Sequence, residues 1–458
     1  MTLIKSISGI RGTIGGQPGD NLTPLDIVKY AASFGQWVKA NNSKKVVIGR
    51  DARISGEMVS QLISNTLIGM GIDVVDLGLT TTPTVEIAVP KEKAGGGIII
   101  TASHNPIQWN ALKLLNHEGE FLSKENGEKI LVLAEAENFE FAEVLNLGQY
   151  VQNSQYLNIH IADILALPLV DKEAIAKKKF KVAIDCVNST GGLALPQLLK
   201  ALGVEEIEEM YCEPNGHFPH NPEPLPEHLT GICDKMKGGG YDVGFVVDPD
   251  VDRLAIIDEN GGFVGEEYTL VLIADYVLSQ TPGDVVSNLS SSGALTKMAE
   301  KYGQKRAEAA VGEVNVVTKM KSINAIIGGE GNGGIIYPEL HYGRDSLVGI
   351  ALFLTYLANA DKSVSQLKAK CPQTFISKNK IELSPLINVD KVLEQLSEEF
   401  QVYPQNRIDG VKIYFDDEWA HIRKSNTEPI IRIYSESTTM DKAENVFLKI
   451  KNVIDRII

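Results

Sequence analysis

Four polar loops hold the side chains of this chain that could do chemistry. The first, Thr101-Ala102-Ser103-His104-Asn105-Pro106, follows the apolar run 97–100. A buried strand that ends in a hydroxyl, an imidazole and an amide, and is then stopped by a proline, delivers those groups to one edge of a sheet, where α/β proteins place reactive residues. The plainer reading is a turn in which Ser103 caps the next helix. The second loop, Asp248-Pro249-Asp250-Val251-Asp252-Arg253, lies between the apolar runs 241–247 and 254–257. Carboxylates at alternate positions repel one another unless a cation sits among them, and hard oxygen donors in this number suit Mg²⁺. Arg253 adds a fork for a phosphate that shares the metal.

The third loop, Gly328-Gly329-Glu330-Gly331-Asn332-Gly333-Gly334, brings main chain and Glu330 close to something small and polar, such as sugar hydroxyls. The fourth, Arg423-Lys424-Ser425-Asn426-Thr427-Glu428-Pro429 with Arg432 beyond it, concentrates cations, hydroxyls and an amide into a phosphate cradle. Near the start, Gly9 and Gly12 flank Arg11, so that main chain can approach a ligand with a guanidinium between. Each loop also has a plainer reading as a bulge or a solvated turn. For the aspartate loop two further readings compete. An EF-hand requires glycine where Arg253 stands, and its flanks would be helices. A phosphatase of the haloacid dehalogenase type would use Asp248 as nucleophile.

The totals narrow the classes. With 458 residues and 43% hydrophobic content, the chain is long enough for three or four domains with their own cores. A formal charge of -15 opposes nucleic-acid binding, which needs clustered cations, so an anionic substrate would be held by local arginines, helix N-termini or a metal. Cys186, Cys212, Cys233 and Cys371 form no Cys-x-x-Cys pair, which makes them free thiols of a reducing compartment. No segment has the apolar run of a membrane span, and a cytoplasmic protein is expected.

The elements that must position these loops follow one grammar: strand, Ser- or Gly-rich polar turn, helix. It occurs at 46–70, at 182–203 and at 284–303, spaced as one unit per domain. Thr23-Pro24 opens an amphipathic helix to about Lys39, and 149–167 reads as one helix stopped by Pro168. The stretch 214–226 is too rich in proline to be helical, and His217, His220 and His228 in or near it have no spacing that defines a metal site. After Cys371-Pro372 the pattern becomes strand, helix, strands and closing helix. The fold expected is α/β: three tandem related α/β domains with mixed sheets, at 1–148, 149–258 and 259–370, and a smaller C-terminal α+β domain at 371–458, around a central cleft.

The four loops, one per domain and in this order, resemble the α-D-phosphohexomutase family, in which the hydroxyl loop reads Thr-x-Ser-His-Asn-Pro and its serine carries a phosphoryl group. The resemblance implies a phosphoserine at Ser103, with Asn105 and Lys113 shaping the site, and Arg11, His104 and Lys113 assisting proton transfer and charge stabilisation. It implies Mg²⁺ on Asp248, Asp250, Asp252 and the Ser103 phosphate. The resemblance also implies that Arg253 lies beside the metal, that Glu330 and Asn332 read the sugar, and that Arg423, Ser425, Asn426, Thr427 and Arg432 hold the unreacting phosphate. The reaction implied interconverts hexose 6-phosphate and hexose 1-phosphate through a 1,6-bisphosphate, which also serves as activator. Glucosamine phosphate is favoured over glucose or mannose phosphate, although Asn426 in the phosphate loop points the other way. The partners implied are sugar phosphates, with neither nucleic acid nor membrane, in a monomer or homodimer. Departures are Asn332 and Gly334 where many members have Ser and His, with His341 as a stand-in imidazole, and Ala310 where many have Lys. An Asp248-dependent phosphatase and a non-catalytic sugar-phosphate-binding protein are the rival readings.

Overall fold

The computed structural model describes residues 2–6, 9–382, 387–424 and 430–457. The chain folds as three tandem α/β domains followed by a C-terminal domain, and it packs into two compact units, 1–269 with 332–367, and 270–331 with 368–458. In the first unit the leading sheet contains β1 (Ile4–Ser6), β2 (Gly9–Thr13), β3 (Lys45–Arg50), β4 (Asp73–Leu79), β5 (Gly96–Ile100), β6 (Trp109–Leu115) and β7 (Tyr150–Gln152), in the spatial order β1-β2-β6-β5-β3-β4-β7. Strands β3, β4, β5 and β7 run parallel, while β6 and the β1–β2 hairpin run antiparallel to their neighbours.

The apolar runs in β3 and β5 are continuous because both faces of this sheet are covered. Val46, Ile48, Ile98 and Ile100 pack with Ile27, Phe34, Ile63 and Leu67 of the helices Pro24–Ala40 and Gly56–Gly69. Val47 and Ile99 point the other way, onto Val85 and Val89 of the helix Thr82–Lys91. Thr23 caps the first helix in a capping box with Asp26, an arrangement worth about 1 kcal/mol.

The second sheet has β8 (Lys181–Asp185), β9 (Glu206–Met210), β10 (Val243–Val247) and β11 (Leu254–Ile257) in the order β11-β10-β8-β9, with β11 antiparallel. In the second unit, β12 (Val285–Asn288) lies between β13 (Arg306–Ala309) and β14 (Ile327–Glu330), all parallel. The short strand β15 (Gly334–Ile336) belongs to the first unit. The C-terminal sheet is antiparallel, β16 (Phe375–Glu382), β17 (Gln405–Asn406), β18 (Val411–Phe415), β19 (Glu418–Lys424) and β20 (Ile430–Ser437), in the order β16-β20-β19-β18-β17. Ile413, Ile422, Ile431 and Ile433 build its core with Leu396 and Ile450 of the helices Val389–Glu399 and Met440–Ile457.

Three local expectations change. The single helix expected over 149–167 is divided into β7 and the helix Tyr156–Leu165, because Tyr150, Val151 and Gln152 add to the sheet edge beside Val74, Val75 and Asp76. The third loop begins later than its glycines suggest, since β14 runs through Gly328 and Gly329 to Glu330. The helix Thr82–Lys91 was not foreseen: its proline at the start is admissible at a helix N-terminus, and Pro90 falls in the last turn. No helix among the described residues is long and apolar enough to cross a membrane.

Candidate functional site

In the first unit the hydroxyl loop and the aspartate loop meet. Ser103 leaves β5 with a left-handed backbone, φ 48°, and its hydroxyl donates to Asp248 Oδ2 at 2.7 Å. A non-glycine residue there is strained unless its surroundings hold it. They do so through Arg53, whose guanidinium is fully buried and donates to the carbonyls of Ser103 (2.6 Å), Asn105 (2.6 Å), Pro106 (2.8 Å) and Trp109 (2.9 Å). Arg53 Nε is turned toward Asp51 Oδ2 at 3.1 Å, an oxygen that also accepts from Thr101 Oγ1 at 2.6 Å. Thr101 Oγ1 in turn accepts from the Ser103 amide at 2.9 Å.

Arg53 therefore acts as a template for the serine loop. Arg53→Met should leave Asp51 as an unpaired buried charge and release four carbonyls, destabilising the protein by about 3–5 kcal/mol. Thermal melting checks this, and the Ser103 loop should become the region of fastest amide exchange.

The aspartate loop turns sharply at Val251, φ 64°, an uncommon conformation for a β-branched residue. Three neighbours brace it. Ser189 and Thr190, in the turn after β8, both donate to Pro249 O, at 2.7 and 2.9 Å. The N-terminus of the helix Thr82–Lys91 reaches Asp250, with Thr82 N to the carbonyl at 2.9 Å and Thr82 Oγ1 to Oδ2 at 2.6 Å. Ser346 N, at the start of the helix Ser346–Ala360, donates to Val251 O at 3.2 Å.

Asp248, Asp250 and Asp252 are fully buried, and one carboxylate oxygen of each lies within 4.8 Å of the others. Burial, and then the charges of Asp252 and Asp250, raise Asp248 well above the usual carboxylate range. Burial would raise Asp252 as well, but the cations of Arg344 and Lys113 outweigh it and hold that carboxyl low. Lys113 Nζ lies 2.7 Å from Asp250 Oδ2 and 3.4 Å from Asp252 Oδ2, and Arg344 Nη2 lies 2.7 Å from Asp252 Oδ2. Two acceptors, Asp250 Oδ1 and Asp252 Oδ1, are buried without a hydrogen-bond partner among the described residues. All-oxygen donors with vacant lone pairs fit a hard divalent cation, so the triad can hold Mg²⁺.

Around this centre stand further groups singled out in the sequence. His104 Nδ1 is 3.3 Å from Ser103 Oγ, and burial followed by the Arg253 charge pushes its imidazole down, so that it is neutral at neutral pH. Arg253 is held by Glu223 at 3.2 Å, while its buried Nε has no partner among the described residues. Asn105 Oδ1 is likewise buried without a partner among them. Arg11 and Lys113 share one face of the sheet, because Arg11 pairs with Ala111 and Gly9 with Lys113 across β2 and β6.

Gly334 has a local explanation. A Cβ there would lie 2.3 Å from Arg344 Cδ, so the glycine leaves room for the arginine stem that reaches Asp252. Gly334→Ala should displace Arg344 from the buried Asp252, lowering turnover by about tenfold or more and lowering the melting temperature as well. His341, the expected stand-in imidazole, pairs with Asp345 at 3.3 Å and Glu86 at 3.4 Å.

Described within the second unit, Glu330 accepts from Asn288 Nδ2 at 2.9 Å and from the Gly312 amide at 3.1 Å. Arg423 and Arg432 are directly opposed across β19 and β20. Arg432 lies between the core residues Ile431 and Ile433, so this pair stands on the face away from the core. Like charges in this register repel each other, and the Asp409 carboxylate offsets part of that repulsion at Arg423. Ser425, Asn426 and Thr427 lie outside the described residues. Reading the sequence missed Arg53, Thr82, Ser189, Thr190 and Arg344; only the charged pair Asp51 and Arg53 in a strand-to-helix turn, and the threonines before Pro83, gave a local signal.

Comparison with known proteins shows the family. Residues 3–141, 158–262 and 265–375 match the phosphoglucomutase/phosphomannomutase alpha/beta/alpha domains I, II and III, and residues 385–453 match the C-terminal domain of the same family. A phosphoglucomutase/phosphomannomutase of Thermococcus kodakarensis is 37% identical over 94% of this chain and 95% of its own length. A phosphoglucosamine/phosphogalactosamine mutase of Sulfurisphaera tokodaii is 31% identical over 98% of both. The crystal structure of a phosphoglucomutase/phosphomannomutase family protein from Burkholderia thailandensis superposes with a TM-score of 0.84 at 24% identity, covering 99% of this chain and 98% of that one, and shares the fold. The chain belongs to the phosphoglucomutase/phosphomannomutase family, the α-D-phosphohexomutases. It is a mutase, an intramolecular phosphotransferase.

Proposed function

We propose that the protein interconverts hexose 6-phosphate and hexose 1-phosphate, with Ser103 carrying the phosphoryl group between them. The observation that carries this reading is the Ser103 hydroxyl bonded to Asp248 in a buried tri-aspartate cluster whose Asp250 Oδ1 and Asp252 Oδ1 have no hydrogen-bond partner among the described residues. Mg²⁺ held by Asp248, Asp250, Asp252 and a phosphate on Ser103 would neutralise the charge on the transferring oxygens.

The chain's own residues supply the rest. A hydroxyl of the bound sugar monophosphate attacks the phosphorus on Ser103. The new O–P bond forms as the Ser103 Oγ–P bond breaks, and His104 takes the hydroxyl proton. Lys113 and Arg11 stabilise the serine oxygen as it leaves. The 1,6-bisphosphate so formed turns over and returns its other phosphate to Ser103. Through both halves Arg423 and Arg432, with Ser425, Asn426 and Thr427, hold the unreacting phosphate, Arg253 contacts the reacting one, and Glu330 and Asn332 read the sugar. The opposed Arg423 and Arg432 support this role, because an anion relieves their repulsion.

The domain limits 1–148, 149–258, 259–370 and 371–458 place one of the four loops in each domain; the order of the matched family domains supports the division. The relative at 37% identity supports glucose or mannose phosphate as substrate. Glucosamine phosphate has support from the relative at 31% identity, and parallel turnover on the three 1-phosphates decides between them.

The decisive experiment is peptide mass spectrometry after incubation with Mg²⁺ and glucose 1,6-bisphosphate. A phosphate on the Ser103 peptide that is lost when excess hexose monophosphate is added supports the reading. A phosphate on Asp248, labile to hydroxylamine, would replace it with the phosphatase.

A further inference from the structure

A second cluster of potential metal ligands lies in the first unit, on residues other than the aspartate loop. His160, on the helix Tyr156–Leu165, and His341 both direct Nε2 at one oxygen, Asp345 Oδ2, at 2.9 and 3.3 Å. The other oxygen of Asp345 is committed to the N-terminus of the helix Ser346–Ala360, accepting from Leu347 N at 2.8 Å and Val348 N at 3.4 Å. His160 and Asp345 are fully buried, and the side chain of His341 is 12% exposed.

The far side of each imidazole is also occupied. His160 Nδ1 lies 3.0 Å from Thr84 Oγ1, and His341 Nδ1 lies 3.4 Å from Glu86 Oε2. For His341 this creates a conflict. A neutral imidazole has one N–H, yet both its nitrogens face carboxylate oxygens, so one lone pair would oppose another. A cation between Nε2 and Asp345 Oδ2 removes that conflict. Nδ1–H then donates to Glu86, and in His160 to Thr84, which is the outer partnership that orients metal-bound histidines. Two ligands at about 2.0–2.1 Å from a tetrahedral Zn²⁺ lie about 3.4 Å apart, so the observed spacings of 2.9 and 3.3 Å need to open by only a few tenths of an ångström.

Access is provided by an adjacent cavity of about 420 Å³ lined by His341 with Glu86, Glu118, Glu120 and Glu339. Acidic walls of this kind concentrate cations.

We propose that His160, His341 and Asp345 bind one borderline divalent cation of the Zn²⁺ class, with Glu86 and Thr84 as positioning residues and water at the open position. Two imidazoles and one carboxylate select such an ion over Mg²⁺. The bound ion ties the helix Tyr156–Leu165 to the N-terminus of the helix Ser346–Ala360.

Co²⁺ is the probe, added to the full-length protein in excess Mg²⁺. The expected result is one Co²⁺ per chain with the visible absorption of a four-coordinate ion, displaced by Zn²⁺, and present also in Asp250→Asn. Affinity should fall about a hundredfold in His341→Gln and about tenfold in Glu86→Gln, whose folding circular dichroism verifies. Absence of the absorption in the unmodified protein would overturn the proposal. So would equal binding by folded His341→Gln, or loss of the absorption in Asp250→Asn alone, which would place the ion on the aspartates. The unmodified protein and Asp250→Asn keep the test decisive should His341→Gln fail to fold.

Discussion

Ser103→Ala is expected to abolish mutase turnover, by roughly 10⁴-fold or more, while sugar-phosphate affinity changes by less than about threefold. The substitution removes one oxygen, the atom that would carry the phosphoryl group, and with it the 2.7 Å hydrogen bond to Asp248. The loop should keep its shape, because Arg53 holds it through main-chain carbonyls and Thr101 through the residue 103 amide, none of which depends on the serine side chain. Coupled assay of hexose 1-phosphate turnover and calorimetric titration of the monophosphate separate the two effects. Equal turnover by Ser103→Ala and the unmodified protein would end the phosphoserine mechanism. A parallel loss of binding would show instead that the loop had collapsed.

Asp250→Asn should lower turnover on the order of 10³-fold, and excess Mg²⁺ should restore only part of the loss. Asp250 combines three tasks: it accepts from Lys113 at 2.7 Å, accepts from Thr82 at 2.6 Å, and offers to a cation Oδ1, which has no partner among the described residues. An amide can preserve the Thr82 contact and part of the shape, yet it removes one negative charge from a fully buried cluster. Two opposite consequences follow. Mg²⁺ affinity should fall, measured by the Mg²⁺ dependence of turnover. Without Mg²⁺, thermal stability should hold or rise, since one like-charge repulsion has been taken out of the interior. A variant less stable than the unmodified protein in chelator, with unchanged Mg²⁺ dependence, would mean that Lys113 and Arg344 already neutralise the triad and that no metal belongs there.

Much of the element order, the continuous apolar strands and the residue types at the four loops were legible in the sequence, because periodicity and loop chemistry are local; the helix Thr82–Lys91 and β7 were not. Thr23-Pro24 as a helix start, the closing helix Met440–Ile457 and the alternate aspartates after a buried strand could all be read from neighbours a few positions away. The expected helix across 149–167 failed for a matching reason. Three residues with helix-compatible neighbours gained more by pairing with β4 than by extending a helix, and that partner lies far away in the chain.

How the loops are held could be seen only once the chain was folded. Thr82 and Asp250 are 168 positions apart, Arg344 and Asp252 are 92 apart, and Arg53 reaches the Asn105 carbonyl across 52. No spacing rule links such residues; folding brings them together, and burial then makes each unpaired charge or carbonyl costly enough that its partner is required. The same holds for Gly334, which reads in the sequence as a lost histidine and in the fold as space for Arg344. The chemistry available to this protein is written in its residue types, because they set what an atom can donate, accept or carry. The tertiary structure decided which of those atoms face one another, because that depends on contacts between distant segments that only the packed chain makes.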